Sequence, residues 1–147
     1  QDMRQEADYA VMGVAVNCGP ALMGDDIEGI CQSVMDIPVC VSDASGFTGD
    51  ADRGWSDAMI SLLCKVPHFS EKKQAGKINV IGPCILDPAS DESWENVLFI
   101  PGGQLMMYGE LSLLSEAERN VVVHPRGLAV ARWLEENTQV PYSMQYE

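Results

Sequence analysis

The sequence predicts an α/β fold, in which parallel sheets are flanked by helices. Short apolar runs alternate with amphipathic stretches, and this alternation of strand and helix is typical of such folds. The alternation stops at a polar stretch, 68–77, which contains three of the nine basic residues, and then starts again. We interpret 68–77 as a linker. We therefore expect one partial domain in 1–67 and a second domain in 78–147.

The first half contains two buried-strand candidates and two helices in alternation. In chain order they span 9–16, 25–34, 37–41 and 54–66. An acidic cap at Asp25, three residues before Glu28, is the aspartate form of a capping box and predicts where the first helix begins. The second helix is predicted because Trp55, Met59 and Leu63 repeat at helical spacing.

The second half repeats the pattern. We expect strands at 78–83, 120–124 and 140–144, a strand end at 99–103, a helix start at 90–94, a short helical turn at 115–118 and an amphipathic helix at 127–137. A crossover between parallel strands needs about a dozen residues or more, usually with a full helix. The stretch before 99–103 is too short for that once its loop is counted. Either 99–103 is not a parallel strand, or the chain lacks residues near Asn96 to Ile100.

The charge of the chain excludes several classes of protein. There are 22 acidic side chains and 9 basic ones, which gives a net charge of −13. A nucleic-acid-binding protein gains much of its affinity by neutralising phosphates, and an anionic membrane surface would repel this chain. No apolar run approaches the roughly 20 residues that span a bilayer. We expect a soluble protein that binds neither nucleic acid nor membrane.

The five cysteines favour a reducing, cytoplasmic setting. Their number is odd and no CxxC pair occurs, unlike the disulfide framework of a small secreted domain. The chain starts at Gln1, without an initiator methionine or a signal-peptide pattern. We expect a processed chain or a segment of a larger subunit.

Cys18 is the first candidate for chemistry. It comes just after the carboxyl end of the first predicted strand, where open α/β sheets bind ligands. Its thiolate suits iron or an iron–sulfur cluster, and the alternative is a buried cysteine that packs as a small hydrophobe. One cysteine cannot hold a cluster, so other ligands would have to come from elsewhere. Cys31, Cys40 and Cys64 are interpreted as core residues, while Cys84 stays open between packing and a redox or ligand role.

Glycines and aspartates give two weaker candidates. Gly46 and Gly49 lie in a turn-rich loop and could let backbone N–H groups approach an anion, or they could form a plain loop. Asp25 and Asp26 suit a hard metal or proton transfer, but capping of a helix is the simpler explanation.

His124 is the better ligand candidate of the two histidines, because it ends the predicted strand 120–124. A structural histidine is the alternative. Neither a dinucleotide-binding glycine motif, a Walker motif nor a nucleophile elbow occurs in the sequence.

An ordered set of motifs resembles the central part of nitrogenase component 1 subunits and their relatives. Those relatives include the dark-operative protochlorophyllide reductases and cofactor-assembly scaffold proteins. The first motifs are Cys18, then Gly24-Asp25-Asp26-Ile27-Glu28, then Ile37-Pro38-Val39, then Gly46-Phe47-Thr48-Gly49 and Gly54. Similar segments follow at Lys77 to Pro83, Arg119 to Val123, Gly127 to Leu134 and Val140 to Tyr142. The resemblance covers nearly the whole chain.

The resemblance implies Rossmann-like three-layer domains, with parts of two successive nitrogenase-type domains in this chain. It also implies an oxidoreductase subunit that pairs with a homologous second subunit and receives electrons from a separate ATP-dependent iron protein. The resemblance places Cys18 at the position of a thiolate ligand, in the family, of an iron–sulfur cluster shared between subunits. The other ligands of that cluster lie in an amino-terminal region that this chain does not contain.

Two departures limit what the resemblance implies. The catalytic nitrogenase subunit has a cysteine that binds the iron–molybdenum cofactor where this chain looks to have Pro125, which offers no thiolate. The loop between Pro38 and Phe47 is also longer and lacks a cysteine before Gly46. We therefore do not expect a dinitrogen-reducing subunit.

One alternative to the oxidoreductase subunit is a non-catalytic scaffold or ligand-binding module for a tetrapyrrole or a cluster precursor. Another is a chain with only structural cysteines that mediates subunit contacts.

Overall fold

The computed structural model describes residues 9–47, 49–83, 95–99 and 108–146. The chain divides into two compact units between Lys65 and Val66. Each unit is built on a parallel sheet with helices packed against it, so the predicted α/β class is confirmed. None of the described helices is long and apolar enough to cross a bilayer.

In the part of the first unit that the structure describes, there are two parallel strands and three helices. In chain order these are β1 Met12–Val16, α1 Cys18–Met23, α2 Ile27–Val34, β2 Val39–Asp43 and α3 Ala51–Leu63. α2 and α3 both pack against β2. The core lies between β2 and α3, where Val39, Cys40, Met59 and Leu63 are buried. The predicted apolar spacing of α3 is confirmed at Met59 and Leu63, although the helix begins and ends three residues earlier than expected.

The start of α2 differs from the predicted capping box by one residue. Asp26, not Asp25, is the cap, and its Oδ1 accepts a hydrogen bond from Gly29 N at 2.9 Å. Glu28 is then one position too early to reach back to the cap. It accepts hydrogen bonds from Gln32 and Lys65. Two adjacent aspartates cannot be told apart by pattern, because either one supplies the carboxylate that a helix start requires.

The described residues of the second unit form four strands, a 3-10 helix and an α-helix. These are β3 Gln74–Ile81, β4 Val97–Phe99, the 3-10 helix Tyr108–Glu116, β5 Ala117–Val122, α4 Gly127–Thr138 and β6 Tyr142–Met144. The strands are all parallel in the order β4-β3-β5-β6. Adjacent residues on β3 (Val80, Ile81) and on β5 (Val121, Val122) are all buried. Because successive side chains of a strand point to opposite faces, both faces of this sheet are covered.

The structure bears on two expectations for the second half. Of the strand end expected at 99–103, only Phe99 is described: it is the last residue of β4, which is parallel to β3, and 100–103 lie outside the described residues. The turn expected at 115–118 is instead the end of the 3-10 helix and the start of β5. The helix start predicted at 90–94 and Cys84 lie outside the described residues.

The stretch interpreted as a linker, 68–77, needs a correction as well. β3 begins at Gln74, and the residues before it are hydrogen-bonded to the 3-10 helix of the second unit. Ser70 N donates to Ser112 O at 3.0 Å, and Ser115 Oγ donates to Ser70 O at 2.6 Å. Composition alone suggested a free segment, because the partners of these polar residues lie more than 40 positions away in the chain.

Two buried asparagines connect the elements of the second unit. Asn79 on β3 and Asn120 on β5 are opposite each other and fully buried. Asn79 Nδ2 donates to Asn120 Oδ1 and to Leu114 O, both at 2.8 Å. Asn120 Nδ2 donates to Val140 O at 3.2 Å. These amides therefore hold the two central strands, the 3-10 helix and the approach to β6 together.

Replacing Asn120 with alanine should lower the free energy of unfolding by about 1–3 kcal/mol, because a buried donor on Asn79 and the Val140 carbonyl lose their partner. Urea unfolding measures this change. Asn137→Ala is the matched control, since the Asn137 amide donates to Trp133 O at an exposed position. Equal effects of the two substitutions would contradict the role given to Asn120.

Glu116 should make the stability of the chain depend on pH in the acid range. Hydrogen bonds from Ser70 and Gln74 lower the pKa of this carboxyl below its usual value. The folded state then holds fewer protons than the unfolded state. The stabilisation is fully present above the pKa of an unfolded glutamate, about 4.3, and is lost as the pH falls through the lower folded-state pKa.

Glu116→Gln should therefore flatten the decline of unfolding free energy between neutral pH and about pH 3, as measured by urea unfolding at each pH. Glu135→Gln, at an exposed position of α4, serves as the control and should follow the unsubstituted chain. An unchanged slope in Glu116→Gln would contradict this prediction.

Candidate functional site

Cys18 lies at the carboxyl end of β1, where the chain turns directly into α1. Asn17 caps this helix, since its Oδ1 accepts a hydrogen bond from Gly19 N at 3.2 Å. Cys18 is the first residue of α1, and its side chain is exposed. The alternative of a buried cysteine that packs as a hydrophobe is therefore wrong. The thiol is accessible to a metal or to a partner.

Gly46 lies at the same sheet edge as Cys18. The parallel pairing of β1 with β2 ends at Val16 and Asp43, and Ala44 N extends it by donating to Val16 O at 2.9 Å. The chain segments that leave the two strands therefore start side by side. A Cβ built at Gly46 would meet no atom within 4 Å, so the space around it is open.

A cavity of about 240 Å³ lies between the end of β2 and the first turn of α3. Its lining combines three aspartates, one arginine and two loop glycines: Asp43, Asp50, Asp57, Arg53, Gly46 and Gly49. Arg53 Nε lies 3.5 Å from Asp57 Oδ2, and Asp50 caps α3 by accepting from Arg53 N at 3.0 Å. Carboxylates outnumber the single cation, so the cavity favours a neutral or cationic group over the anion considered from the glycines alone.

His124 lies at the carboxyl edge of the sheet in the second unit, just past β5. Its imidazole is half-buried and accepts a hydrogen bond at Nδ1 from Arg126 Nε, at 3.0 Å. In the order β4-β3-β5-β6, the chain passes from β3 to β4 on one side of the sheet and from β5 to β6 on the other. The place between β3 and β5 is therefore a topological switch point, at which open α/β sheets bind ligands. His124 therefore has both a structural partner and a position at the edge where a ligand would enter.

Two glycines permit the close approach of chains beside His124. Gly82 follows β3 with φ of +112°, and a Cβ there would lie 3.1 Å from the His124 carbonyl oxygen. A Cβ at Gly127, the first residue of α4, would lie 2.7 Å from Ile81 O. The start of α4 can therefore contact the end of β3 only because position 127 has no side chain.

The described residues contain no group of three or more histidine, cysteine or acidic side chains that could hold a metal ion. Cys18 thus contributes a single thiol. Of the cysteines interpreted as core, Cys40 is buried, and burial raises the pKa of its thiol. Cys31 is half-buried, whereas Cys64 is exposed, so the core interpretation of Cys64 is wrong.

The sequence did not reveal the neighbours of His124 and Gly46. Arg126 was missed as a partner of His124, although a donor only two residues after a histidine can reach its imidazole. Arg53 was missed in the cavity beside Gly46, because a single arginine in an acidic helix start shows no pattern. Asp25 and Asp26 are both exposed, and the cap at Asp26 supports the simpler explanation given to the pair.

Comparisons with known proteins agree with this architecture. The model of the family described as nitrogenase component 1 type oxidoreductase matches residues 1–145. The nitrogenase iron-molybdenum cofactor biosynthesis protein NifE of Klebsiella pneumoniae is 29% identical, and the match covers 85% of this chain and 32% of that protein.

Solved structures of nitrogenase Cp1 share the fold. The structure at pH 5 superposes with a TM-score of 0.70 and 21% identity, and the structure at pH 6.5 with 0.68 and 19%. Each match covers 92% of this chain but only 30% and 28% of the respective structure. The chain thus spans about a third of the length of its relatives. Because the family model matches nearly every residue, the chain belongs to the nitrogenase component 1 type oxidoreductase family.

Proposed function

We propose that this chain is a segment of a nitrogenase component 1-like oxidoreductase subunit in which Cys18 binds an iron–sulfur cluster. The observation that carries the proposal is an exposed thiol at the carboxyl edge of a parallel sheet, the edge at which open α/β sheets bind ligands. The described cysteines are all free, which supports a reducing, cytoplasmic setting.

The remaining ligands of the cluster come from outside this chain. Thiolate sulfur suits iron, but a cluster usually takes four protein ligands, and the described residues supply no metal-holding group of three. Cys18 fits as one ligand of a shared site that a homologous second subunit completes. Its exposure supports this arrangement, because a ligand buried inside its own unit could not reach a cluster at a subunit boundary.

Electrons reach the cluster from a separate ATP-dependent iron protein in this proposal. When bound, the cluster supplies one-electron transfer, and the residues of this chain hold and border it. Gly46 leaves open space at the edge that carries Cys18, so a bulky group can approach. His124, oriented by Arg126, offers an imidazole to a cofactor in the second unit. Pro125 supplies no thiolate beside it, so dinitrogen reduction is not part of the proposal.

A cofactor-assembly scaffold is the second candidate function. The similarity to NifE, a cofactor biosynthesis protein, favours it. Such a scaffold would use the same exposed Cys18 to hold a cluster precursor, or it would bind a tetrapyrrole, without turning over a substrate. The electron-receiving subunit and the cluster-precursor form of the scaffold both require Cys18, and they differ in what happens after the cluster is bound.

Replacing Cys18 with alanine in the full-length protein should abolish or strongly reduce bound iron and sulfide after anaerobic reconstitution, since a thiolate ligand is lost. The measurement is iron and acid-labile sulfide per subunit. Cys64→Ala is a matched control, because Cys64 is an exposed thiol of the same unit that lies at the end of α3. Unchanged iron and sulfide in Cys18→Ala would show that the ligand assignment is wrong.

The two candidates predict different behaviour of the reconstituted protein. An electron-receiving subunit should show ATP-dependent reduction of its cluster when mixed with an iron protein, visible as a change in absorbance or in the electron paramagnetic resonance spectrum. A scaffold should show saturable binding of a tetrapyrrole or release of a cluster precursor, with no ATP-dependent reduction. Reduction that also occurs without ATP would contradict the electron-receiving role.

A further inference from the structure

The carboxylate of Glu116 is the centre of a polar cluster at the end of the 3-10 helix. The residue is only 6% exposed, yet both of its oxygens have partners. Ser70 Oγ donates to Oε1 at 2.5 Å, and Gln74 Nε2 donates to Oε2 at 2.6 Å. A buried carboxylate is stable only when it is paired in this way, so the cluster fixes the positions of Ser70 and Gln74.

Further contacts extend the cluster on both sides of Glu116. Lys73 Nζ donates to Ser115 O at 2.6 Å, where the 3-10 helix ends. Gly76 N donates to Glu118 Oε2 at 2.6 Å. The ring of Phe69 lies 6.0 Å from that of Trp133 on α4, in a tilted arrangement. Contacts with the rest of the second unit therefore recur from Phe69 to Gly76.

The residues just before Phe69 differ from this pattern. Within the described part of the chain, Val66, Pro67 and His68 make no hydrogen bond, and Val66 is half-buried. Pro67 and His68 are also exposed. On the other side, Lys65 is held by the first unit, since its Nζ lies 3.1 Å from Glu28 Oε1.

We propose that Phe69 to Gly76, which includes the first residues of β3, forms a strap clamped by Glu116 to the rest of the second unit, and that Val66, Pro67 and His68 open more readily than this strap. Segments with few packed contacts and exposed backbone open with the lowest free energies in native proteins. The lysine-containing composition of the strap conceals this role, because the partners of the strap lie more than 40 positions away in the chain. The proposal does not depend on Cys18 or on any cluster.

The clamp requires the carboxylate of Glu116. Ser70 and Gln74 both depend on one carboxylate, so loss of that group removes two hydrogen bonds together and exposes the Ser70 side of the strap. Two bonds to the Ser70 backbone remain as a second attachment: Ser70 N donates to Ser112 O, and the Ser115 hydroxyl donates to Ser70 O. Removing either attachment should loosen the strap locally, whereas the centre of β3 is held by its pairing with β5.

Hydrogen–deuterium exchange of the chain, read by mass spectrometry, tests the proposal. In the unsubstituted chain, peptides that cover 70–76 should exchange more slowly than peptides that cover 66–68. Glu116→Ala should raise the exchange rate of amides in 70–76 by about tenfold, the change expected from the net loss of about one hydrogen bond. The exchange rate in 79–81 should change little. Ser115→Ala, which leaves the carboxylate in place, should loosen the same segment. Glu135→Ala, on the exposed face of α4, is the matched control.

Limited trypsin cleavage gives a second readout of the same segment. The bonds after Lys72 and Lys73 should be cut slowly in the unsubstituted chain and faster in Glu116→Ala, with the Glu135→Ala control unchanged. Equal exchange of 66–68 and 70–76 in the unsubstituted chain would overturn the proposal. So would a uniform rise over the whole second unit in both clamp variants, because the strap would then open only when the unit unfolds.

Discussion

The buried amides of Asn79 and Asn120 are the interaction on which the second unit depends. They lie opposite each other on the two central strands, and their donors reach Leu114 O in the 3-10 helix and Val140 O before β6. A buried donor without a partner costs more than a typical hydrogen bond contributes. A shift of β3 against β5 by one residue would unpair these groups and turn each apolar side chain to the other face. The amides therefore select one register.

That register determines what meets at the carboxyl edge of the sheet. With Asn79 opposite Asn120, the strands end together at Ile81 and Val122, and Val123 N donates to Ile81 O at 3.0 Å. The chain can then turn into α4 only through the close contact that Gly127 allows. The position of His124, the candidate residue of the second unit, is thus determined by packing several residues away in the chain. In the first unit, the edge follows from the pairing of β1 with β2 alone.

The sequence was informative where one local force dominates. Apolar runs located the strands, because burial of both faces requires them, and α4 was predicted within one residue of its observed end. The edge position of Cys18 also followed from the pattern, but its exposure did not, since a cysteine is apolar enough for either environment. Contacts across the chain left no such signal. The partnership of Glu116 with Ser70 joins residues 46 positions apart, and no local pattern encodes it.

The strap shows why composition misled at 68–77. Polar, lysine-containing segments are typical of linkers because they bury too little apolar surface to hold themselves in place. Here the segment is held by the carboxylate of Glu116, which is distant in the sequence. Its basic side chains also make contacts within the second unit, as when Lys73 donates to Ser115 O. The charge of Lys72 also helps, after the hydrogen bonds from Ser70 and Gln74, to lower the pKa of the Glu116 carboxyl. The same cation-rich composition that suggests a mobile linker therefore becomes, beside a buried carboxylate, a reason for the segment to dock.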